Sequence, residues 1–239
     1  MRRLANLTLV FAILFLIFII GLPFLSSPFG PYPLMKVQDA VDLLTPLVLI
    51  PVYWLLFQVE PGKAIRNWES ILFLILAALW VEGQGIHLAA NSIGHLTAAF
   101  GGTDAAALTD FYDEVLSHYM WHSGIIGLSL LIIYRQWKNP FVGMRTGPGI
   151  GLGAGIVHGL SYGLMVLEGV TIPIGLPAAA LVVLFGMLPG RGKLREQPVL
   201  LFFFIAYLTA LILFIVWRVY WGCFIEPLDA LQHLGTRGC

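Results

Sequence analysis

Residues 199–222 read VLLFFFIAYLTALILFIVWRVYWG, with a single charge, Arg218, in the whole stretch. A bilayer core about 30 Å thick takes about 20 residues of helix. The stretch therefore reads as a membrane-spanning helix. The rest of the chain agrees. Of its 239 residues, 59% are hydrophobic and 11% charged, where an ordinary soluble domain is about 25% charged. Mean hydropathy is +0.88. Such a chain cannot cover a water-facing surface, which excludes a cytosolic enzyme and a disordered segment. Thirteen Lys and Arg balance thirteen Asp and Glu, so no basic field exists to hold a nucleic acid. The partner that composition implies is the lipid bilayer.

Working outward from 199–222, six further stretches have the same character: 4–25, 41–59, 69–96, 109–134, 147–167 and 172–188. Long continuous apolar runs indicate helices, since a barrel would show strands of about ten alternating residues. The expected fold is an all-α, polytopic bundle of seven transmembrane helices in a single domain over residues 1–239. The segment Pro23 to Pro33, rich in proline and serine, reads as an ordered turn. The first stretch is too long for a signal-peptide core and lacks a small-residue cleavage site after it, so it is expected to be retained.

Seven spans put successive loops on alternating sides. The side of the N-terminus receives Arg2, Arg3, Lys63, Arg66, Arg135, Lys138, Arg145, Arg191, Lys193 and Arg195; the other receives Lys36 and Arg237. That bias predicts a cytoplasmic N-terminus and an external C-terminus, in the plasma membrane. Cys223 and Cys239 then lie outside, where an oxidising medium permits either a disulfide or two free thiols.

Polar residues inside the spans are costly and so informative. The third span carries Glu82, Gln84, His87, Asn91 and His95, with His87, Asn91 and His95 on one helical face. The fourth carries Asp113, Glu114, His118 and His122, and the fifth His158 and, at its end, Glu168. With the orientation above, most of these fall in outer halves, His118 about 10–14 Å and His122 about 16–20 Å below the outer boundary. His158 comes out at a similar depth. One polar pocket, open to the outside, is expected.

Imidazoles and carboxylates on facing helices are a metal-ligand arrangement. His118 and His122 stand on adjacent turns and can share an ion. The expected ligands are His87, His118, His122 and His158. Glu82 and Glu114 are the candidate catalytic carboxylates, and Asn91, Asp113 and Arg218 support them, with Arg218 as ion-pair partner of Glu82 or Glu168. This donor set suits zinc or non-haem iron, one ion or two. Haem fits less well, because it leaves the carboxylates unexplained. The function expected is a metal-dependent hydrolase or oxidase acting on a lipid-like substrate. Two alternatives stand beside it: a carrier of protons or divalent metal, and a haem-binding or purely structural membrane subunit.

Two short pieces have a likeness elsewhere. SHYMWH, from Ser117 to His122, resembles the paired-histidine helix of the membrane hydrolase superfamily that includes alkaline ceramidases and adiponectin-type receptors. His158 followed by Glu168 resembles its His-to-acid helix. The resemblance implies zinc held by histidines within seven helices. The paired histidines come fourth here rather than last, and on the opposite side of the membrane. In the fifth span, Gly147, Gly151, Gly155, Gly159 and Gly163 recur every four residues. They predict close helix packing, or else a groove for an acyl chain beside His158.

Overall fold

A computed structural model gives the chain as a helical bundle with one small hairpin. The structure describes residues 2–30, 32–59, 64–97, 101–141, 148–187, 194 and 197–232. Helix α1 (Arg2–Ile20) stops where Gly21 and Pro23 follow, since proline lacks the N–H that a continuing helix needs. The chain then turns through an antiparallel hairpin, β1 (Pro28–Phe29) and β2 (Tyr32–Lys36). The segment expected to be an ordered turn is thus ordered as a hairpin.

The second span is broken near its start. Helix α2 (Val37–Asp42) is capped by Asp39, whose carboxylate accepts from the Lys36 N–H at 2.8 Å. Helix α3 (Thr45–Phe57) opens with Pro46 in its first turn, and the Thr45 hydroxyl donates to Asp42 at 2.7 Å. Helix α4 (Asn67–Thr97) has 31 residues, about 46 Å of helix. The next span comprises α5 (Asp104–Asp110), a π-helical stretch over Phe111–Ser117, and α6 (His118–Lys138). Helices α7 (Pro148–Glu168), α8 (Ile172–Met187), α9 (Pro198–Trp221) and α10 (Pro227–Gln232) complete the order.

Among the described residues, six helical segments are long and apolar enough to cross a membrane: Arg3–Ile20, Val37–Phe57, Asn67–Gly94, Asp104–Lys138, Gly149–Glu168 and Pro198–Trp221. Helix α8 is equally apolar, with 16 residues among those described. The sequence expected it as a full span.

Two helix pairs form the frame, α4 with α6 and α7 with α9, and α1 packs on α7. Both pairs close through glycines. A Cβ on Gly124 of α6 would stand 2.7 Å from the Leu76 carbonyl oxygen of α4. Along α7, a Cβ on Gly155 would meet the Phe202 carbonyl of α9 at 2.9 Å, and Gly159 and Gly163 also abut α9. From Gly155 to Gly163 the glycine stripe is therefore a packing seam, whereas a Cβ on Gly151 would meet nothing within 4 Å and Gly147 lies outside the described residues. The alternative acyl groove beside His158 is filled by α9.

At the end where α4 begins, Arg135 and Glu69 form a buried ion pair at 2.7 Å. The Arg135 Nε also donates to the Phe57 carbonyl at 3.0 Å, and the Glu69 carboxylate accepts from the Arg66 N–H at 2.8 Å. This anchors α3, α4 and α6 to one another. Arg135, counted by sequence as a loop charge, is an interior residue only 2% exposed. At the other end Cys223 is disulfide-bonded. The only other cysteine of the sequence, Cys239, lies outside the described residues.

Candidate functional site

The helix pair α4–α6 places three histidines in a row. The rings of His87 and His118 have centroids 4.9 Å apart, and those of His118 and His122 are 5.7 Å apart and nearly parallel. His118 and His122 are buried, and His87 is partly so. The row descends from α4 into the seam between α6 and the turn that joins α7 to α8.

Each ring turns the same nitrogen toward an oxygen. His118 Nδ1 lies 3.1 Å from the Glu114 carbonyl, which can only accept, so that nitrogen carries the hydrogen. His122 Nδ1 is hydrogen-bonded to the Thr171 hydroxyl, which also lies 3.5 Å from the Val166 carbonyl. His87 Nδ1 faces Asp113 Oδ1 at 2.8 Å, off the line of a straight hydrogen bond. The Nδ1 atoms of His118 and His122 are thus hydrogen-bonded to oxygen, and that of His87 lies beside the Asp113 carboxylate without a hydrogen bond to it. His122 Nε2 is buried and without a partner.

The π-helical stretch explains which carboxylate takes part. A bonding step of five residues in place of four turns Asp113, rather than Glu114, toward α4. Asp113 then pairs with His87, while the Glu114 side chain is 56% exposed, with its carboxylate 3.8 Å from His118 Nδ1. Glu114 accordingly stands at the rim. Glu82 is exposed on α4, five residues from His87 and so about 140° around the helix from it. It is not part of the row. Asn91 reaches Asp39 of α2 at 3.5 Å instead of a ligand. Arg218 is exposed, and among the described residues no ion pair joins it to Glu82 or Glu168. The side chain of His95, and all of His233, lie outside the described residues.

His158 stands apart. The α7–α8 turn, at Gly169, touches His122, and His158 lies eleven residues back along α7, about 16 Å of helix. There its ring is enclosed by Phe11, Phe15, Phe202 and Phe203, at centroid distances of 4.9, 4.3, 5.3 and 6.0 Å.

Four contributors were not singled out from sequence. Thr171 and Gly169 come from the turn after α7. Asp39 and Asp42 come from α2, where Asp42 accepts from Gln84 at 2.6 Å and Gln84 in turn accepts from the Trp80 indole at 3.1 Å. This chain ties α2 to the face of α4 that carries His87. Where α4 and α5 meet is a hollow of about 320 Å³ lined by Gly94, Thr103, Asp104, Ala107 and Asp110 among others.

Among the described residues, no three His, Cys, Asp or Glu side chains are gathered as a ready metal site. No family model, no curated protein and no solved structure matches the chain.

Proposed function

We propose that His87, His118 and His122 bind a divalent metal ion through their Nε2 atoms, in a bundle of seven spans, and that the ion serves an enzyme. The observation that carries this reading is the shared placement of Nδ1 beside an oxygen. Metal-bound histidines usually donate their second ring N–H to a carboxylate, carbonyl or hydroxyl, which fixes ring and tautomer. Here Asp113, the Glu114 carbonyl and Thr171 occupy those three positions. The spacing of each neighbouring pair in the row, 4.9 and 5.7 Å, is near what two imidazoles sharing an ion need. Two imidazoles on one tetrahedral zinc, with Zn–N of about 2.0–2.1 Å, have ring centres about 5 Å apart. The row has to close on the ion by side-chain rotation, with Asp113 at hand as an oxygen ligand.

The donor set favours zinc or non-haem iron, and haem has no role in this reading. Such an ion would activate water, or O₂ in the case of iron. Glu114, at the rim beside His118, is the group placed to exchange protons with the medium. A site among apolar helices suits a lipid-like substrate.

Seven spans rest on the path of α8. Its first residues adjoin Thr171, at the level of His122, and its Phe185 packs on Trp137 at 5.1 Å. His122 and Trp137 are fifteen residues apart on α6, about 22 Å. One end of α8 thus lies at the depth of the site, and its described residues run from there toward the end of the bundle that holds Trp137. A cytoplasmic N-terminus rests on the basic-residue bias, which remains strong with Arg135 removed from it.

The test is elemental analysis of the detergent-purified protein, prepared without chelators from metal-supplemented cells. The wild type should carry about one equivalent of zinc or iron, and a His118→Ala, His122→Ala variant none. A folded wild type free of metal, or equal metal in both proteins, would refute the reading.

A further inference from the structure

We propose that α4 forms a symmetric dimer with α4 of a second copy of this chain, with Glu82 at the contact. The residues of α4 that face away from the bundle are Ile71, Leu74, Ile75, Ala78, Val81, Glu82, Gly85, Ala89 and Ile93. All but one suit hydrocarbon. Glu82 lies thirteen residues beyond Glu69, the residue that locks α4 to α6 at the inner end. That is about 20 Å of rise within a core about 30 Å thick. A carboxyl group is therefore presented to lipid tails well inside the membrane. Ionisable groups at that depth normally face a bundle interior or pair with one another. Among the described residues no cation or amide reaches Glu82.

A second copy supplies the missing partner. The membrane fixes both copies in one orientation, so the two-fold axis runs along its normal and a residue on that axis meets its own equivalent. A carboxyl group can serve both sides of such a contact, because it donates when protonated and accepts in either state. Around Glu82 the side chains are small. Ala78 lies one turn before it, and Gly85 and Ala89 one and two turns after. The two backbones can then come close enough for the acids to touch. Neither the imidazole row nor Asp113 is needed for this contact, so the proposal stands independently of the metal reading.

The experiment uses the full chain in phosphatidylcholine vesicles over a range of protein-to-lipid ratios. Energy transfer between donor- and acceptor-labelled copies should report a dimer. Glu82→Leu should raise its dissociation constant at least tenfold. Glu82→Gln, which can still donate and accept across the axis, should retain it. With a short thiol-reactive cross-linker, Ala78→Cys should give a covalent dimer while Leu181→Cys, exposed on α8, should give none. Circular dichroism of each variant checks that the helices are intact. Absence of energy transfer at every ratio, an unchanged constant in Glu82→Leu, or equal cross-linking at Leu181 would overturn the proposal.

Discussion

Replacing Gly169 with alanine tests the seat of the imidazoles directly. A methyl group built there would stand 2.5 Å from His122 Cε1, 3.2 Å from His122 Nε2 and 3.3 Å from His118 Cγ. Non-bonded carbons rest at about 3.5–4.0 Å, so His122 would have to move by about 1 Å. It has little room: the Trp121 ring lies 4.1 Å from its own, and Thr171 holds Nδ1. Overpacking of this kind costs about 1–3 kcal/mol, visible as an earlier thermal unfolding transition in detergent. The more telling readout is metal affinity, measured by competition with a chromophoric chelator. A displaced ligand should weaken binding by about 10–100-fold, as for a lost supporting contact. A Gly169→Ala protein that is destabilised yet binds metal as tightly as wild type would remove the imidazoles from the metal site. One that is neither destabilised nor weakened would refute the packing around His122.

Glu69→Leu leaves Arg135 buried without its counter-charge and should cost about 3–5 kcal/mol. Adding Arg135→Met should restore most of it, and a double-mutant cycle without coupling would count against the pair. Thr171→Val keeps the shape of the turn but takes the hydrogen-bond partner from His122 Nδ1, and should lower metal affinity tenfold or more; equal affinity would mean that Thr171 does not orient the ring. Val170, at φ 50, is a β-branched residue in left-handed backbone. Val170→Gly should therefore stabilise the protein by about 1 kcal/mol, read as a rise in melting temperature. Burial, reinforced by Asp229, raises Glu226 above the ordinary carboxylate range. Helix α10, which follows Glu226, packs on α7, and the packed state holds this proton more tightly than the unpacked one, so the packing is strongest at low pH and weakens as pH climbs through the raised value. Amide exchange across 227–232, corrected for intrinsic rates, should quicken over that window, and Glu226→Gln should abolish the change.

The helices were legible in the sequence because hydrocarbon imposes one rule, a long run of apolar residues, and the chain obeys it in six places and nearly in a seventh. The pairing of His87 with His118 was legible for a related reason: residues four apart share a face, and a short connection makes α4 and the following helix neighbours. The rule fails where its period does. The π-helical stretch from Phe111 to Ser117 turns Asp113 inward and Glu114 out, and nothing in FYDEVLS announces the wider step. His158 was misplaced by a different cause. Counting residues from a membrane boundary gives depth only if each helix starts at that boundary, whereas the α7–α8 turn lies at the level of His122. Thr171 and Gly169 escaped notice because their roles exist only once that turn has met α6. Glu82 shows the limit of composition, since a glutamate inside a span reads the same whether it faces a site or the lipid.

The vertical order of the bundle bears on enzyme against carrier. Beneath His122, helix α6 contributes Ile125, Ile126, Leu128, Leu131 and Ile132 to the core, all 7% exposed or less. The polar groups at that level are tied down or enclosed: Tyr53 is bonded to Ser129 at 3.1 Å, and His158 sits among phenylalanine rings. Below them Arg135 and Glu69 close the end of the bundle where α4 begins. An ion leaving the imidazole row inward would cross about three turns of packed aliphatic residues and then face a neutralised pair. A carrier must offer its cargo a second exit, and building one here means separating α4 from α6 along a seam where Gly83 and Gly124 bring the backbones into contact. A site that exchanges only with the outer side needs none of this. On the proposed reading the ligands come together by rotation of the imidazoles alone, above a floor of packed aliphatic residues.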